Sequence, residues 1–172
     1  MKHIIILMLI ANLSVSLTYA QRQTDVTMDE FRESFTRTST RLRAVEPDTA
    51  QYIGRPFLEF INYLEKQGLE IVFAQPIDNM RVPVFVPDDQ KINGIFLRFA
   101  DQNTRNFARR NSLVHPTIQV IFSNNLPSIE AWDLLRKYDG AFTEEVRAFY
   151  SDAIIEAIGI WIPERMEQPQ RR

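Results

Sequence analysis

Three arginines cluster in residues 101–112, DQNTRNFARRNS, and are the side chains whose type and spacing could best do chemistry. Guanidinium groups suit carboxylates, phosphates or sulfates. If the segment is helical, Arg105 and Arg109 share one face and Arg110 lies on the neighbouring one. Phe107 would then fix the segment to the body of the protein. The favoured interpretation is a solvated connection whose arginines pair with the chain's acids. Docking of something acidic is the functional alternative.

His115 is the only histidine beyond residue 20, and the chain has no cysteine. Histidine-based zinc triads, thiolate metal sites and cysteine nucleophiles are therefore excluded. His115 could act as a general base, with Ser112 three residues upstream. Its position directly before Pro116, at the start of a predicted strand, favours a surface or packing role instead.

Carboxylates are plentiful, and Asp88 with Asp101, or Glu144 with Glu145, could form an acid–base pair of the kind that glycosidases use. We interpret Asp88 as part of a turn, and the two glutamates as complementing a helix N-terminus. The segment DDQKING lacks the alternating ligands of a calcium loop. No glycine-rich phosphate loop or nucleophile elbow is present. The sequence thus predicts no catalytic residue, no metal site and no cofactor.

The N-terminus has the pattern of a cleaved signal peptide. Lys2 precedes the apolar run IIILMLIA (4–11), and Thr18 and Ala20 provide the small residues of a cleavage site. The run is much shorter than the ~20 residues that a membrane span needs, and no cysteine follows it for lipid attachment. We expect cleavage after Ala20 and a periplasmic or secreted protein.

The mature chain that this cleavage would leave has 152 of the 172 residues. Its net charge is −3, since Lys2 is lost from a chain of net charge −2. We expect one domain over residues 21–165, with a disordered tail over 166–172. The mild acidity argues against a nucleic-acid partner, and no later apolar stretch is long enough to cross a membrane.

Two helices are predicted before the first strand. Thr27 is the N-cap of the first, and Glu30 completes a capping box. The Thr/Ser-rich run 36–40 has weak helix propensity, so this helix is expected to end near Phe35. The second helix follows Pro56. Its apolar stripe has helical spacing: Phe57, Phe60, Ile61 and Leu64.

Alternating apolar residues predict the central strands. Residues 69–74 (LEIVFA) form the first, which Pro76 ends. Prolines restrict 81–87 (RVPVFVP) to an edge strand or an ordered loop. Residues 91–100 and 117–123 are two further strands. Their apolar faces are Ile95, Leu97 and Phe99, and Ile118, Val120 and Phe122.

The C-terminal part is predicted to contain two helices and a last strand. Ser128 caps the first of these helices and Gly140 follows its end. Its apolar stripe is Ile129, Trp132 and Leu135. Thr143 begins the second helix. Residues 154–162 are predicted as a strand, with a longer helix as the alternative. Trp161 and Tyr63 could face outwards and mark a contact surface.

Strands framed by helices indicate an α+β fold, with an antiparallel sheet of about four strands and helices packed mainly on one face. The signal ending YA|Q, the unit IGRPFLEFINYLEKQGLEI and the ending FYSDAIIEAIGIWIP resemble small uncharacterised exported proteins of Bacteroidota-type bacteria. The helix–strand unit is also similar to β-lactamase-inhibitor-protein-like envelope modules. That second resemblance implies binding of proteins rather than catalysis, and neither resemblance assigns a functional residue.

The resulting hypothesis is a non-catalytic binding or protein-interaction module of the bacterial envelope. It would bind an unknown envelope protein or ligand through a sheet face or the connection 101–116. The alternatives are a small envelope hydrolase that acts on glycans or peptides through carboxylates, and a binder of small anionic ligands at Arg105, Arg109 and Arg110.

Overall fold

A four-stranded antiparallel sheet forms the centre of the protein in the computed structural model, which describes residues 26–77 and 91–166. The strands lie side by side in chain order, so β1 and β4 are the two edges. Their bounds are β1 (Phe73–Ile77), β2 (Lys91–Arg98), β3 (Thr117–Pro127) and β4 (Ile155–Trp161). The predicted α+β fold with a four-stranded antiparallel sheet is confirmed.

Helices frame and connect these strands. They are α1 (Met28–Val45), a short 3-10 helix (Glu46–Tyr52), α2 (Phe57–Lys66), α3 (Gln102–Arg110), α4 (Ser128–Lys137) and α5 (Glu144–Tyr150). Helix α3 lies in the connection from β2 to β3, and α4 and α5 lie in the connection from β3 to β4. No helix of the described ranges is long and apolar enough to cross a membrane.

The main core lies on one face of the sheet. Alternate residues of β2 and β3 point into it, and Leu97, Ile118 and Val120 are fully buried. The stripe predicted for α2 packs against them, with Phe57 in edge-to-face contact with Phe122 at 5.3 Å between ring centroids. Helices α4 and α5 add further residues to the same cluster.

A second, smaller cluster joins the N-terminal half of α1 to α3. Its buried members are Phe31, Ala108 and Leu113, and Phe107 packs against them with its ring 5.9 Å from that of Phe31. The predicted anchoring of the arginine segment by Phe107 is confirmed.

Helix α1 is longer than expected. The predicted capping box is present, since the Thr27 side chain accepts from the Glu30 backbone and Glu30 accepts from the Thr27 backbone. The predicted end near Phe35 is wrong, because the helix continues to Val45. The Thr/Ser run includes Thr38 and Ser39, which are buried, and tertiary packing outweighs their weak propensity.

Strand β1 is displaced along the chain relative to the prediction. It begins at Phe73 instead of residue 69, and it contains Pro76, which pairs with Ile95. A proline fits there because β1 is an edge strand of the sheet, where a residue whose N position faces away from the neighbouring strand loses no ladder hydrogen bond. Leu69 and Ile71 are buried without belonging to the ladder.

Helix α4 differs in its start and in its buried face. Pro127, not Ser128, occupies the N-cap position, and the Ser128 hydroxyl is buried without a hydrogen-bond partner in the described structure. The buried positions are Ala131 and Leu134, whereas Ile129 is 41% exposed. The expected stripe was therefore one residue out of phase.

Several other expectations agree with the structure. Thr143 caps α5, and the ambiguous C-terminal segment is strand β4. Gly140 follows α4 with a φ of +77°, which suits glycine. The predicted signal peptide (1–20), the segment 81–87, predicted as an edge strand or an ordered loop, and residues 167–172 of the predicted tail lie outside the described residues. Met166, the first residue of that tail, is described, and its carbonyl accepts from the Val114 backbone N–H at 2.7 Å.

Candidate functional site: an arginine cleft

The arginine cleft is a cavity of about 600 Å³ on the sheet face opposite the main core. Its base is one row of paired residues across the strands: Phe73, Arg98, Thr117 and Trp161. Residues paired in this way stand on the same face of a sheet. Helix α3 forms one wall, and residues 112–115 form another. We define the arginine cleft by Arg98, Arg105, Arg109, Phe73 and Trp161.

Helix α3 presents two of the predicted arginines to this cleft. Asp101 is its N-cap, and its carboxylate accepts from the Thr104 backbone N–H at 2.8 Å. Thr104 and Ala108 occupy the buried face. Arg105 and Arg109 lie one turn apart and both line the cleft. The sequence therefore placed them on the correct shared face.

Arg110 is the third predicted site residue, and the structure separates it from the other two. It is exposed on α3 and does not line the arginine cleft. It also has an interaction of its own. The helical phase predicted this separation, since residues 109 and 110 are about 100° apart around a helix.

Arg105 stacks on an aromatic ring. Its guanidinium carbon lies 3.6 Å from the centroid of Phe73, and its Nη2 donates to the side-chain oxygen of Gln102. Its Nε is buried without a hydrogen-bond partner in the described structure. Gly140 supports the Phe73 ring, because a Cβ at this glycine would lie only 1.9 Å from a ring carbon.

Arg98 supplies a second guanidinium from strand β2. Its Nη2 donates to Gln75 at 3.3 Å, and burial lowers its pKa. Burial and the nearby charge of Arg98 also lower the pKa of Arg105, against the opposing effects of Asp139 and Asp101. Both groups stay charged at neutral pH, because an arginine side chain does not lose its proton in a protein.

In the described part of the chain, the arginines of the cleft have no acidic partner within ion-pair distance. Within residues 26–77 and 91–166, none of Arg98, Arg105 and Arg109 forms an ion pair. The expected pairing of Arg105 and Arg109 with the chain's acids is therefore not found in this part of the chain. The cleft holds partly desolvated positive charge, and Asp139 lines it without forming an ion pair with these arginines in the described residues.

Trp161 completes the cleft at the far edge of the sheet. It ends strand β4, and its side chain is 52% exposed, as the sequence suggested for this residue. Tyr63, the other aromatic proposed to face outwards, is half-buried and its hydroxyl donates to Asp48 at 2.7 Å. Of these two aromatic residues, only Trp161 lines the cleft.

Sequence reasoning missed two cleft residues, Phe73 and Arg98. The signal that could have found them is strand alternation: Phe73 precedes the inward-facing Ala74, and Arg98 follows the inward-facing Leu97. Both must then point to the opposite face of the sheet.

His115 lines the cleft as a packed side chain. Its ring makes edge-on contacts with Phe31 at 5.9 Å and Phe35 at 6.3 Å. Its Nε2 lies 3.4 Å from the hydroxyl of Ser34, and its Nδ1 lies 3.4 Å from the carbonyl of Pro116. Burial lowers its pKa to about 4, so the ring is neutral at physiological pH. This environment agrees with the predicted packing role.

Two of the carboxylates considered for catalysis, Asp101 and Glu145, have structural partners in the described residues. Asp101 caps α3, and Glu145 accepts from Lys137 at 2.9 Å and from Tyr138. Glu144 lies exposed in the first turn of α5, as expected for a residue that complements a helix N-terminus. Asp88 lies outside the described residues. Within those residues, no cluster of three or more histidine, cysteine or acidic side chains is arranged to hold a metal ion.

Comparison with known proteins adds no relative. The chain matches no protein-family model, no curated protein and no solved structure. The functional proposal therefore rests on the residues and geometry of the arginine cleft.

Proposed function

We propose that this protein is an exported, non-catalytic binding module that holds an anionic ligand in the arginine cleft. One observation carries the proposal: Arg98 and Arg105 are partly buried against the same Phe73 ring, with guanidinium carbons 5.4 and 3.6 Å from its centroid, yet no acid of the described residues forms an ion pair with either. A bound anion would supply the missing counter-charge.

The unfavourable free energy of burying unpaired charge in the cleft favours binding of an anion. Removing charged groups from water is unfavourable unless they are paired. In Arg105 the cost includes a buried Nε–H that donates to no acceptor in the described structure. Hydrogen bonds from a guanidinium to a carboxylate, sulfate or phosphate are charge-assisted and stronger than neutral ones.

The shape of the cleft supports a small ligand. Its volume of about 600 Å³ lies within the range of sites that enclose small molecules. Helix α3, the sheet and residues 112–115 surround it on different sides. A concave site of this size suits a discrete anion better than the flat surface of a protein partner.

Thermal unfolding with added sulfate tests the proposal. A ligand that binds only the folded state raises the melting temperature as its concentration rises. We expect sulfate, at ionic strength held constant with sodium chloride, to raise the melting temperature of the wild type more than that of Arg105→Gln/Arg109→Gln.

Arg110→Gln is the matched control for this experiment. It removes one positive charge from the same helix but leaves the cleft wall intact. It should keep the sulfate response of the wild type. Equal responses of the wild type and the double variant would contradict anion binding in the cleft.

Export is a separate part of the proposal. The supporting feature is the pattern over residues 1–20, with its apolar run and small residues at Thr18 and Ala20. Mass spectrometry of protein recovered from the periplasm or medium should give a chain that begins at Gln21. A retained Met1 would contradict cleavage.

A further inference from the structure

Trp161 gives the arginine cleft a flat apolar surface beside its positive charge. Its indole is 52% exposed, although the residue belongs to a paired strand. Neighbouring strands lie about 4.8 Å apart, so the Cα atoms of Trp161 and Arg98, two strands apart, are separated by about 10 Å. A ligand that carries an anionic group next to one or two rings would reach both the indole of Trp161 and the guanidinium of Arg98.

Phe73 does not offer a second stacking surface. Its ring carries the guanidinium of Arg105, Arg98 lies 5.4 Å from its centroid, and a Cβ added at Gly140 would lie 1.9 Å from a ring carbon. A flat aromatic ligand gains most when it is covered on both sides, and here it would find the single platform of Trp161. A sugar ring needs only one platform, because it presents a C–H face on one side and hydroxyl groups around its edge.

Uncharged polar groups line the remaining walls of the cleft. Gln102, Asn106 and Ser112 offer both donors and acceptors of hydrogen bonds. Asp139 also lines the cleft and provides an acceptor for a hydroxyl group. Such groups match the hydroxyl-rich edge of a sugar, whereas a purely aromatic acid would leave them without partners.

We infer that the ligand of the arginine cleft is an acidic sugar, with its ring stacked on Trp161 and its carboxylate or sulfate held by Arg98, Arg105 and Arg109. This inference rests on the proposed anion-binding function and names the class of ligand. The uncharged polar residues of α3 bind the hydroxyl groups.

Calorimetric titration of the whole protein with trigalacturonate tests the ligand class. The comparison ligands are a neutral galactose trimer, phenylacetate and a peptide of alternating aspartate and glutamate. We expect trigalacturonate to bind at least about tenfold more tightly than each of the three. Trp161→Ala should weaken that binding about tenfold, and Trp161→Phe, which keeps a ring, should restore part of it.

The sulfate experiment separates failure of this inference from failure of the proposed function. Trp161→Ala should weaken trigalacturonate binding more strongly than the sulfate-dependent rise in melting temperature, whereas Arg105→Gln should lose both responses. A normal sulfate response with no trigalacturonate binding would overturn the sugar and leave the anion site. If phenylacetate or the acidic peptide bound more tightly than trigalacturonate, the inference of a sugar would be overturned in favour of an aromatic acid or a protein partner. If the wild type showed neither a sulfate-dependent rise in melting temperature nor trigalacturonate binding, both proposals would be overturned.

Discussion

Two arginines of this protein, Arg147 on α5 and Arg105 on α3, lie in opposite environments. Arg147 donates to Asn62 at 2.6 Å and to Glu65 at 3.2 Å, so it joins α5 to α2 through an acid and an amide. Arg105 stacks on Phe73, and its Nε has no partner in the described structure. Both side chains are partly buried, but of the two only Arg147 forms an ion pair with a carboxylate among the residues that the structure describes.

This difference indicates two roles for the same residue type. An arginine whose guanidinium donates to a neighbouring carboxylate stabilises the fold and has few N–H donors available for a ligand. One that is held in place by an aromatic ring keeps its donors for something else. Whether an arginine belongs to a binding site thus depends on where its counter-charge comes from.

The largest expected effect comes from removing the support beneath Arg105. Gly140→Ala places a methyl group where the Phe73 ring lies and also requires a φ of +77°. We expect the free energy of unfolding to fall by about 3 kcal/mol, from the strained backbone and the displaced ring. Urea denaturation measures it, and the sulfate response should weaken because Arg105 moves with Phe73.

Gly54→Ala is the control for the backbone contribution. Gly54 has the same φ of +77°, but an added Cβ there meets no atom within 4 Å. Its cost should be about 1 kcal/mol. Equal losses in the two variants would show that Phe73 does not depend on Gly140.

The pH dependence of the unfolding free energy tests the environment of His115 in the wall of the cleft. Its pKa is lowered to about 4 in the folded protein from about 6.5 in the unfolded chain. The unfolded chain therefore takes up the proton first as the pH falls. The stability that the neutral ring contributes is complete above about pH 6.5 and is lost toward pH 4. We expect a loss of about 2 kcal/mol between pH 7 and pH 5.

His115→Phe is the control for this pH dependence, because it keeps an aromatic ring in contact with Phe31 and Phe35 but has no group that titrates. The change in unfolding free energy between pH 7 and pH 5 should be smaller in this variant by about the amount assigned to His115. Parallel pH profiles of variant and wild type would contradict the buried neutral ring.

Arg147→Gln should have a smaller effect. The side chain is 20% exposed and that of Glu65 is 43% exposed, so solvent screens much of the interaction. We expect the free energy of unfolding to fall by about 1 kcal/mol, measured by urea denaturation at pH 7. No loss would show that this ion pair does not hold α5 to α2.

Arg105→Gln should have the smallest effect on stability. The change removes a charge that repels Arg98 and a buried donor that has no partner in the described structure. These gains offset the lost stacking on Phe73. The unfolding free energy should stay within about 0.5 kcal/mol of the wild type. A loss as large as that of Arg147→Gln would mean that Arg105 is structural, and the contrast between the two arginines would fail.

Local patterns predicted much of the fold. The capping box at Thr27, the apolar stripe of α2 and the alternation in β2 and β3 depend on neighbouring residues, and the structure confirms them. The end of α1 was wrong because Thr38 and Ser39 are buried by distant residues, which propensity does not describe. The phase of α4 was wrong for a similar reason, since packing selects Ala131 over larger neighbours.

The arginine cleft was only half predictable. Helical spacing placed Arg105 and Arg109 on one face, as found. Phe73 and Arg98 reach the same site through strand register, and Gly140 through a turn, which local sequence does not contain. Whether an arginine forms an ion pair depends on those long-range positions, so the sequence could not show that Arg105 and Arg109 form none within the described residues.

The most direct test is an NMR titration that observes the Nε–H groups of the arginines. Sulfate is added at constant ionic strength, and the resonances are assigned by arginine-to-glutamine variants. The arginine cleft predicts that the signals of Arg98 and Arg105 shift and saturate together. The signal of Arg147, already paired with Glu65, should stay in place. Equal, non-saturating shifts of all three would contradict an anion site in the cleft.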